Sequence, residues 1–243
     1  MKKLIMLIMM LGICIFSFGE TADEIVKKID KNLAPDSIEY KGKMVIHKDN
    51  RDYTKKFKIY GSGEEKSFVE FLSPARDKGT KYLTVGDNLW MYLPRANRTI
   101  KISGHMLRQS MMGSDFSYED QTDRNELIDI YNSKILDETE TEYILEMIKK
   151  NGVETNYYKR KVWVNKNTYI SKKSEMYARS GKLLKILTIG ETKKIGKIYY
   201  PTKIKMEDKV RNDSFTEIFI TDIKLDIKIS DSIFTLRNLE KRN

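Results

Sequence analysis

From Ser37 onward the chain alternates short apolar runs with turn residues, and within the runs the alternation has the two-residue period of half-buried strands. The runs cover about 37–48, 52–60, 66–72, 80–85, 88–93, 98–102, 130–136, 141–149, 156–164, 168–177, 182–190, 197–207 and 214–223, and they are rich in β-branched and aromatic residues. Gly86-Asp87-Asn88, Asn165-Lys166-Asn167 and Arg179-Ser180-Gly181 fall between consecutive runs, where Gly and Asn accept turn dihedrals with little strain. Most gaps have hairpin length, and none holds the long helical crossover that a parallel sheet requires. The pattern predicts a mainly β chain with minor α, an antiparallel sheet of about 11–13 strands curled into a barrel or half-barrel. Only one early segment has a clear helical period, Ala22 to Leu33, with Ile25, Ile29 and Leu33 on one stripe. Thr21 and Glu24 form a capping-box pair at its start, and Pro35 ends it.

Two places break the strand rhythm. The run Asn88-Leu-Trp-Met-Tyr-Leu-Pro94 is apolar on both faces, with Leu89, Met91 and Leu93 pointing one way and Trp90 and Tyr92 the other. Such a strand has one face on protein and the other under a helix, a loop or a ligand, and the run itself does not say which face is which. Residues 103–127 interrupt the strands altogether, with a Met-rich stretch between Gly104 and Gly113 and an acidic short helix or loop from Ser117 to Leu127. Inside it, "MMGSDFSYED" (residues 111–120) gathers two methionines, two aromatics and three carboxylates.

The N-terminus changes the setting. Lys2 and Lys3, an apolar run from Leu4 to Phe16, and the small residues Ser17 and Gly19 make a cleavable secretory signal over residues 1–19. About 13 apolar residues are too few to cross a ~30 Å hydrocarbon core. Cleavage after Gly19 is expected to leave residues 20–243 as one continuous domain without cysteine, since Cys14 is the only one. Ile13 before Cys14 argues against lipidation. The formal charge is +10, but its lysines are dispersed among Glu and Asp. Export and dispersal together argue against nucleic acid as a partner and for a solvated surface with weak attraction to anionic membranes.

Hydrolase chemistry is not written in this chain. It has no Gly-x-Ser-x-Gly elbow, no Ser-x-x-Lys pair and no His-Glu-x-x-His, and its two imidazoles are His47 and His105. Glu119 and Asp120 are adjacent, so they do not face each other across a bond as a glycosidase pair must. Asp115, Glu119, Asp120 and Asp123 do not have the spacing of a calcium loop, and Met106, Met111 and Met112 have only His105 nearby to support a copper site. No catalytic residue, cofactor or metal is expected.

The ordered series Phe71-Leu-Ser-Pro74, Gly79-Thr80-Lys-Tyr-Leu83, Leu89-Trp-Met-Tyr-Leu-Pro94, Arg98-Thr-Ile-Lys-Ile102 and Met112-Gly-Ser-Asp-Phe-Ser-Tyr-Glu-Asp120 resembles the outer-membrane lipoprotein-sorting proteins of the LolA/LolB-like superfamily. It is most similar to the branch associated with RND-type, MMPL-like lipid exporters. The likeness continues through Tyr200-Pro-Thr-Lys203, Ile218-Phe-Ile-Thr-Asp-Ile223 and Asp231-Ser-Ile-Phe234. The resemblance implies a LolA-like half-barrel whose concave face is covered by helices and loops and binds acyl chains. It implies a monomeric periplasmic carrier of acyl lipid or lipoprotein cargo with no enzyme role, working with an inner-membrane transporter of RND/MMPL or ABC type and with an outer-membrane acceptor as a further partner. The alternative within the same superfamily is an envelope signalling or scaffold module that binds a protein. The expected cavity and lid residues are Leu83, Leu89, Trp90, Met91, Tyr92, Leu93, Met106, Met111, Met112, Phe116 and Tyr118. The expected fastening is an ion pair of Asp115 or Glu119 with Arg98 or Arg95.

Overall fold

The computed structural model describes residues 19–33, 35–122, 126–196, 198–211 and 214–242. The expected signal segment, apart from Gly19, lies outside the described residues. Among these residues thirteen strands are present: β1 Ser37–Lys48, β2 Arg51–Ser62, β3 Lys66–Ser73, β4 Lys81–Val85, β5 Asn88–Leu93, β6 Arg98–Ile102, β7 Tyr131–Glu138, β8 Glu142–Lys149, β9 Lys159–Asn165, β10 Ser171–Tyr177, β11 Leu183–Ile195, β12 Ile198–Asp208 and β13 Ser214–Leu225. Among the described residues four α-helices accompany them, α1 Ala22–Leu33, α2 Tyr118–Thr122, α3 Leu127–Ile130 and α4 Leu236–Leu239.

All thirteen strands form one sheet in the order β6-β5-β4-β3-β2-β1-β13-β12-β11-β10-β9-β8-β7. Its two ends do not pair, so the barrel is open. Every hairpin joins spatial neighbours, and β1 and β13 meet in the centre with Met44 opposite Ile218 and Ile46 opposite Thr216. One connection is different. β6 and β7 follow each other in sequence but lie at opposite edges of the sheet, so residues 103–130 must travel from edge to edge. This crossing is the stretch that breaks the strand rhythm in the sequence.

The side-chain period of two sorts each strand into an inner and an outer face. Cross-strand register carries the inner face from Gly42 to Phe57, then Phe71, and in the next row from Tyr40 to Ile59, Val69, Tyr82, Met91 and Ile100. Gly42 has to be small, because a Cβ there would stand 2.2 Å from the Phe57 ring. The outer face of β3 to β5 carries Phe68, Leu83 and Tyr92, and it is covered by the C-terminal tail, where Phe234 and Leu239 are buried.

α1 forms where the period and caps place it. The Thr21 N–H donates to Glu24 Oε2 (2.8 Å) and the Glu24 N–H to Thr21 Oγ1 (3.3 Å), which satisfies two of the free donors of the first turn. Its stripe of Ile25, Val26 and Ile29, none more than 1% exposed, packs on Tyr131, Leu145, Met147, Val162 and Val164 of β7 to β9. Burying three aliphatic side chains contributes roughly 5–9 kcal/mol as an upper bound.

Candidate functional site

The crossing segment is built from short turns. Gly104–Arg108 and Met111–Gly113 are single 3-10 turns, and Met112 (φ 54°) and Gly113 (φ 82°) both take left-handed backbone angles. For Met112 this is a strained conformation, held by what surrounds it. The Met111 N–H donates to the Phe116 carbonyl (2.8 Å), the Tyr118 N–H to the Gln109 carbonyl (3.2 Å), and the Ser114 hydroxyl to the Met111 carbonyl (2.7 Å). The segment thus folds on itself and turns its apolar side chains towards the sheet.

Those side chains complete the inner face. Met106, Leu107, Met111, Met112, Phe116 and Tyr118 pack against Met44, Ile46, Phe57, Val69, Phe71, Tyr82, Leu89 and Ile102 of β1 to β6. Ring contacts run from Phe57 to Phe71 (5.8 Å), to Tyr82 (6.0 Å) and on to Tyr118 of the segment (5.8 Å), within the range of favourable aromatic pairs. Tyr118 also lies 3.9 Å from the Met91 sulfur through its hydroxyl.

Two buried carboxylates tie the segment down. Asp115, 2% exposed, accepts from the Ser214 hydroxyl (2.5 Å) and the Thr216 hydroxyl (2.6 Å) of β13, while its own N–H donates to Thr216 Oγ1 (3.0 Å). Asp120 accepts from the Ser117 N–H (2.8 Å), the Tyr157 hydroxyl (2.5 Å) and the Lys185 ammonium (2.5 Å) of β11. Burial works to raise the Asp120 pKa, but Lys185 and these hydrogen bonds outweigh it and hold the carboxyl below its usual range. Burial and the Asp120 charge together push the Tyr157 phenol up.

The other half of the concavity is occupied by α1. A cavity of about 100 Å³ opens beneath it, lined by Ile29, Leu127, Val162, Leu187 and Ile189 with Arg160 at its side. The Ser174 hydroxyl borders the cavity, buried and without a hydrogen-bond partner among the described residues. Asp30 of α1, 4% exposed, accepts from the N–H groups of Leu127 (3.0 Å) and Ile128 (3.1 Å), fastening α1 to α3 at the end of the crossing. Burial raises its pKa to about 6, opposed by those two hydrogen bonds and assisted by Glu126 and Glu64.

Of the residues singled out in the sequence, Leu89, Met91, Met106, Met111, Met112, Phe116 and Tyr118 come together on the inner face. Leu83, Trp90 and Tyr92 do not. They lie on the outer face under Ile229, Ile233, Phe234 and Leu239, because the strand alternation that turns Leu89 inward turns its neighbours outward. Leu93 sits at the strand end beside Arg98, Ile100 and Met106, on an open groove at the sheet edge. The expected arginine pair for Asp115 is also corrected. Its carboxylate meets hydroxyls of β13, whereas Arg95 and Arg98 are exposed at the β5–β6 turn. Glu119 lies half-buried in α2. Sequence reasoning missed Lys185, Arg160, Ser174 and Asp30. Lys185 and Arg160 look like surface positions in a lysine-rich strand pattern, and only a partner far along the chain distinguishes them.

A family model described as an uncharacterized protein matches residues 63–241. A DUF1329 family protein from Desulfovibrio piger superposes with a TM-score of 0.83 at 28% identity, covering 90% of this chain and 97% of that one. A LolA superfamily protein from Nitrosomonas europaea superposes with a TM-score of 0.75 at 26% identity, covering 90% of this chain and 100% of that one. The chain belongs to the LolA-like superfamily. A domain from Vibrio parahaemolyticus, provisionally described as an outer membrane lipoprotein-sorting protein, shares the fold with a TM-score of 0.80 at 23% identity, covering 90% of this chain and 98% of that one. No curated protein matches by sequence. Among the described residues no helix is long and apolar enough to cross a membrane.

Proposed function

We propose that this LolA-like protein is a periplasmic, non-enzymatic carrier that holds the acyl chains of a lipid or lipoprotein against the inner face of its half-barrel. One observation carries the reading. The apolar inner face of β1 to β6 is closed by a segment of single turns, residues 104–118, rather than by a further layer of sheet or a long helix. Moving such a segment away breaks a few hydrogen bonds rather than a helix or a strand ladder, and Met and aromatic side chains adapt to a disordered chain. An acyl chain laid on the same face would take over the contacts that Met111, Met112 and Phe116 make with it.

The cavity under α1, about 100 Å³, is below the ~300 Å³ at which pockets for whole ligands begin. Loading therefore requires the crossing segment or α1 to shift. The need for a carrier follows from the cargo: about 15 methylenes at ~0.8 kcal/mol each keep an acylated molecule from crossing water unaided. The cleavable signal expected over residues 1–19 supports the periplasmic setting, and the resemblance to the exporter-associated branch supports an inner-membrane transporter of RND/MMPL or ABC type as donor. An outer-membrane acceptor would complete the route, and the carrier is read as a monomer.

Mass spectrometry of organic extracts from the protein purified out of its native envelope, combined with titration of a fluorescent fatty acid, tests this. Acyl-bearing molecules in the extract and saturable probe binding are expected. A protein that yields no acylated molecule, binds no probe and instead retains one protein partner is a scaffold of this fold and not a carrier.

A further inference from the structure

Away from the concave face, the loop between β3 and β4 and the end of the chain enclose a second groove of about 660 Å³. Five cations line it: Lys78, Lys81, Arg95, Lys241 and Arg242. The one acid among the lining residues is Glu70, which stands opposite Lys81 in the β3–β4 register. Glu70 offsets one charge, and four remain. Leu72, Ala75 and Pro94 give the groove an apolar side, and Leu72 is 39% exposed, one of few large apolar side chains so placed.

The groove is built rather than incidental. Lys81 is only 3% exposed and its ammonium donates to the Lys241 carbonyl (2.6 Å), which brings the C-terminal cations to the groove. Arg242 Nε donates to Asn97 Oδ1 (3.2 Å), and the Tyr92 hydroxyl donates to the same oxygen (3.0 Å), so the β5–β6 turn that bears Arg95 is fixed to the chain end. Across the groove, the N–H groups of Asp77 and Lys78 donate to the Pro74 carbonyl (2.9 Å each), and Asp77 pairs with the buried Lys55. Gly79, at φ +80°, lets this turn return to β4. Three separate stretches of chain therefore hold like charges around one concavity.

Like charges gathered around a groove repel each other, and an anion entering it relieves that repulsion. We propose that this groove receives the phosphate of an anionic phospholipid headgroup, with Leu72 and its apolar neighbours against the first methylenes, and so seats this end of the molecule on an anionic membrane. The phosphate matches the cations and the glycerol-acyl boundary matches the apolar side. Basic residues next to a membrane surface attract anionic lipid over about a Debye length, which makes the contact reversible and salt-sensitive. The proposal goes beyond acyl carriage and does not depend on it, since the groove lies outside the concave face.

Flotation of the mature protein with phosphatidylglycerol vesicles and with phosphatidylcholine vesicles is the test. The protein is expected to bind the former at least tenfold better, and the double reversal Lys78→Glu/Arg95→Glu is expected to remove that preference. Lys193→Glu/Lys194→Glu, which changes net charge equally at exposed positions of β11, is expected to keep most of it. Circular dichroism and fatty-acid probe binding establish that each variant is folded and report on the carrier reading separately. Equal losses from both double variants would mean that net charge alone attracts the protein, and the groove would carry no role. Saturable binding of inorganic phosphate with no preference for phosphatidylglycerol vesicles would likewise overturn the membrane assignment.

Discussion

Asp115 fastens the crossing segment through hydroxyls, and that chemistry sets what its removal costs. Asp115→Ala deletes two charge-assisted hydrogen bonds and leaves the Thr216 hydroxyl, 0% exposed, without its acceptor. A loss of about 2–4 kcal/mol in unfolding free energy is expected, with Asp115→Asn losing less because its amide oxygen still accepts. Arg95→Ala and Arg98→Ala, exposed and remote from this carboxylate, should stay within about 0.5 kcal/mol of the parent. Urea denaturation checks all four; matching losses for Asp115→Ala and Arg98→Ala would reinstate an arginine partner. Asp120 is a different case, since its partner is a charge. Asp120→Ala leaves Lys185 buried and unpaired, at a cost of about 3–5 kcal/mol, and the joint replacement Asp120→Leu/Lys185→Met should recover most of it. Its depressed pKa means that the pair stabilises the fold above the unfolded-state value and that this stabilisation is lost as pH falls through the folded-state value.

Among the elements, α1 and α3 are joined by a carboxylate that shifts the other way. Asp30 keeps its proton up to pH about 6 in the native state and releases it near 3.9 when unfolded. Between those values the native state binds the extra proton, so stability from this group rises as pH falls from 7 to 5, by about 1–1.5 kcal/mol. Unfolding curves at the two pH values should show the rise in the parent and lose it in Asp30→Asn; subtraction of the variant removes the contributions of all other groups. An unchanged pH slope in the variant would place the titration elsewhere. α1 itself was legible in the sequence because its caps and stripe are local, from Thr21 and Glu24 to Ile29. The strands were legible for the same reason, since each alternation is read within a few residues. The hold on Asp115 was not, because Ser214 lies about a hundred residues away and only the β1–β13 pairing brings it near. Nor could β5 announce its inner face, as both sides are apolar and the covering C-terminal tail is more than a hundred residues distant.

At the level of the whole molecule, an open sheet whose consecutive edge strands are joined across its mouth has a built-in competitor for any chain that enters. Phe116 makes this measurable, because it packs against both the aromatic face of β1 to β6 and the cluster around Tyr157, Met176 and Met206. Phe116→Ala should lower unfolding free energy by about 2–3 kcal/mol, less than for a fully buried ring. If the segment and an acyl chain contend for one surface, the same change weakens the closed arrangement and should tighten binding of a fluorescent fatty acid, up to tenfold for each 1.4 kcal/mol of the closed state's advantage removed. Phe71→Ala belongs to the floor of that surface, 1% exposed, and should lower both stability and affinity. Opposite signs of the affinity change in the two variants are what a displaceable cover predicts. A parallel fall in both would make residues 104–118 part of the binding surface itself, and loading would then have to proceed through movement of α1.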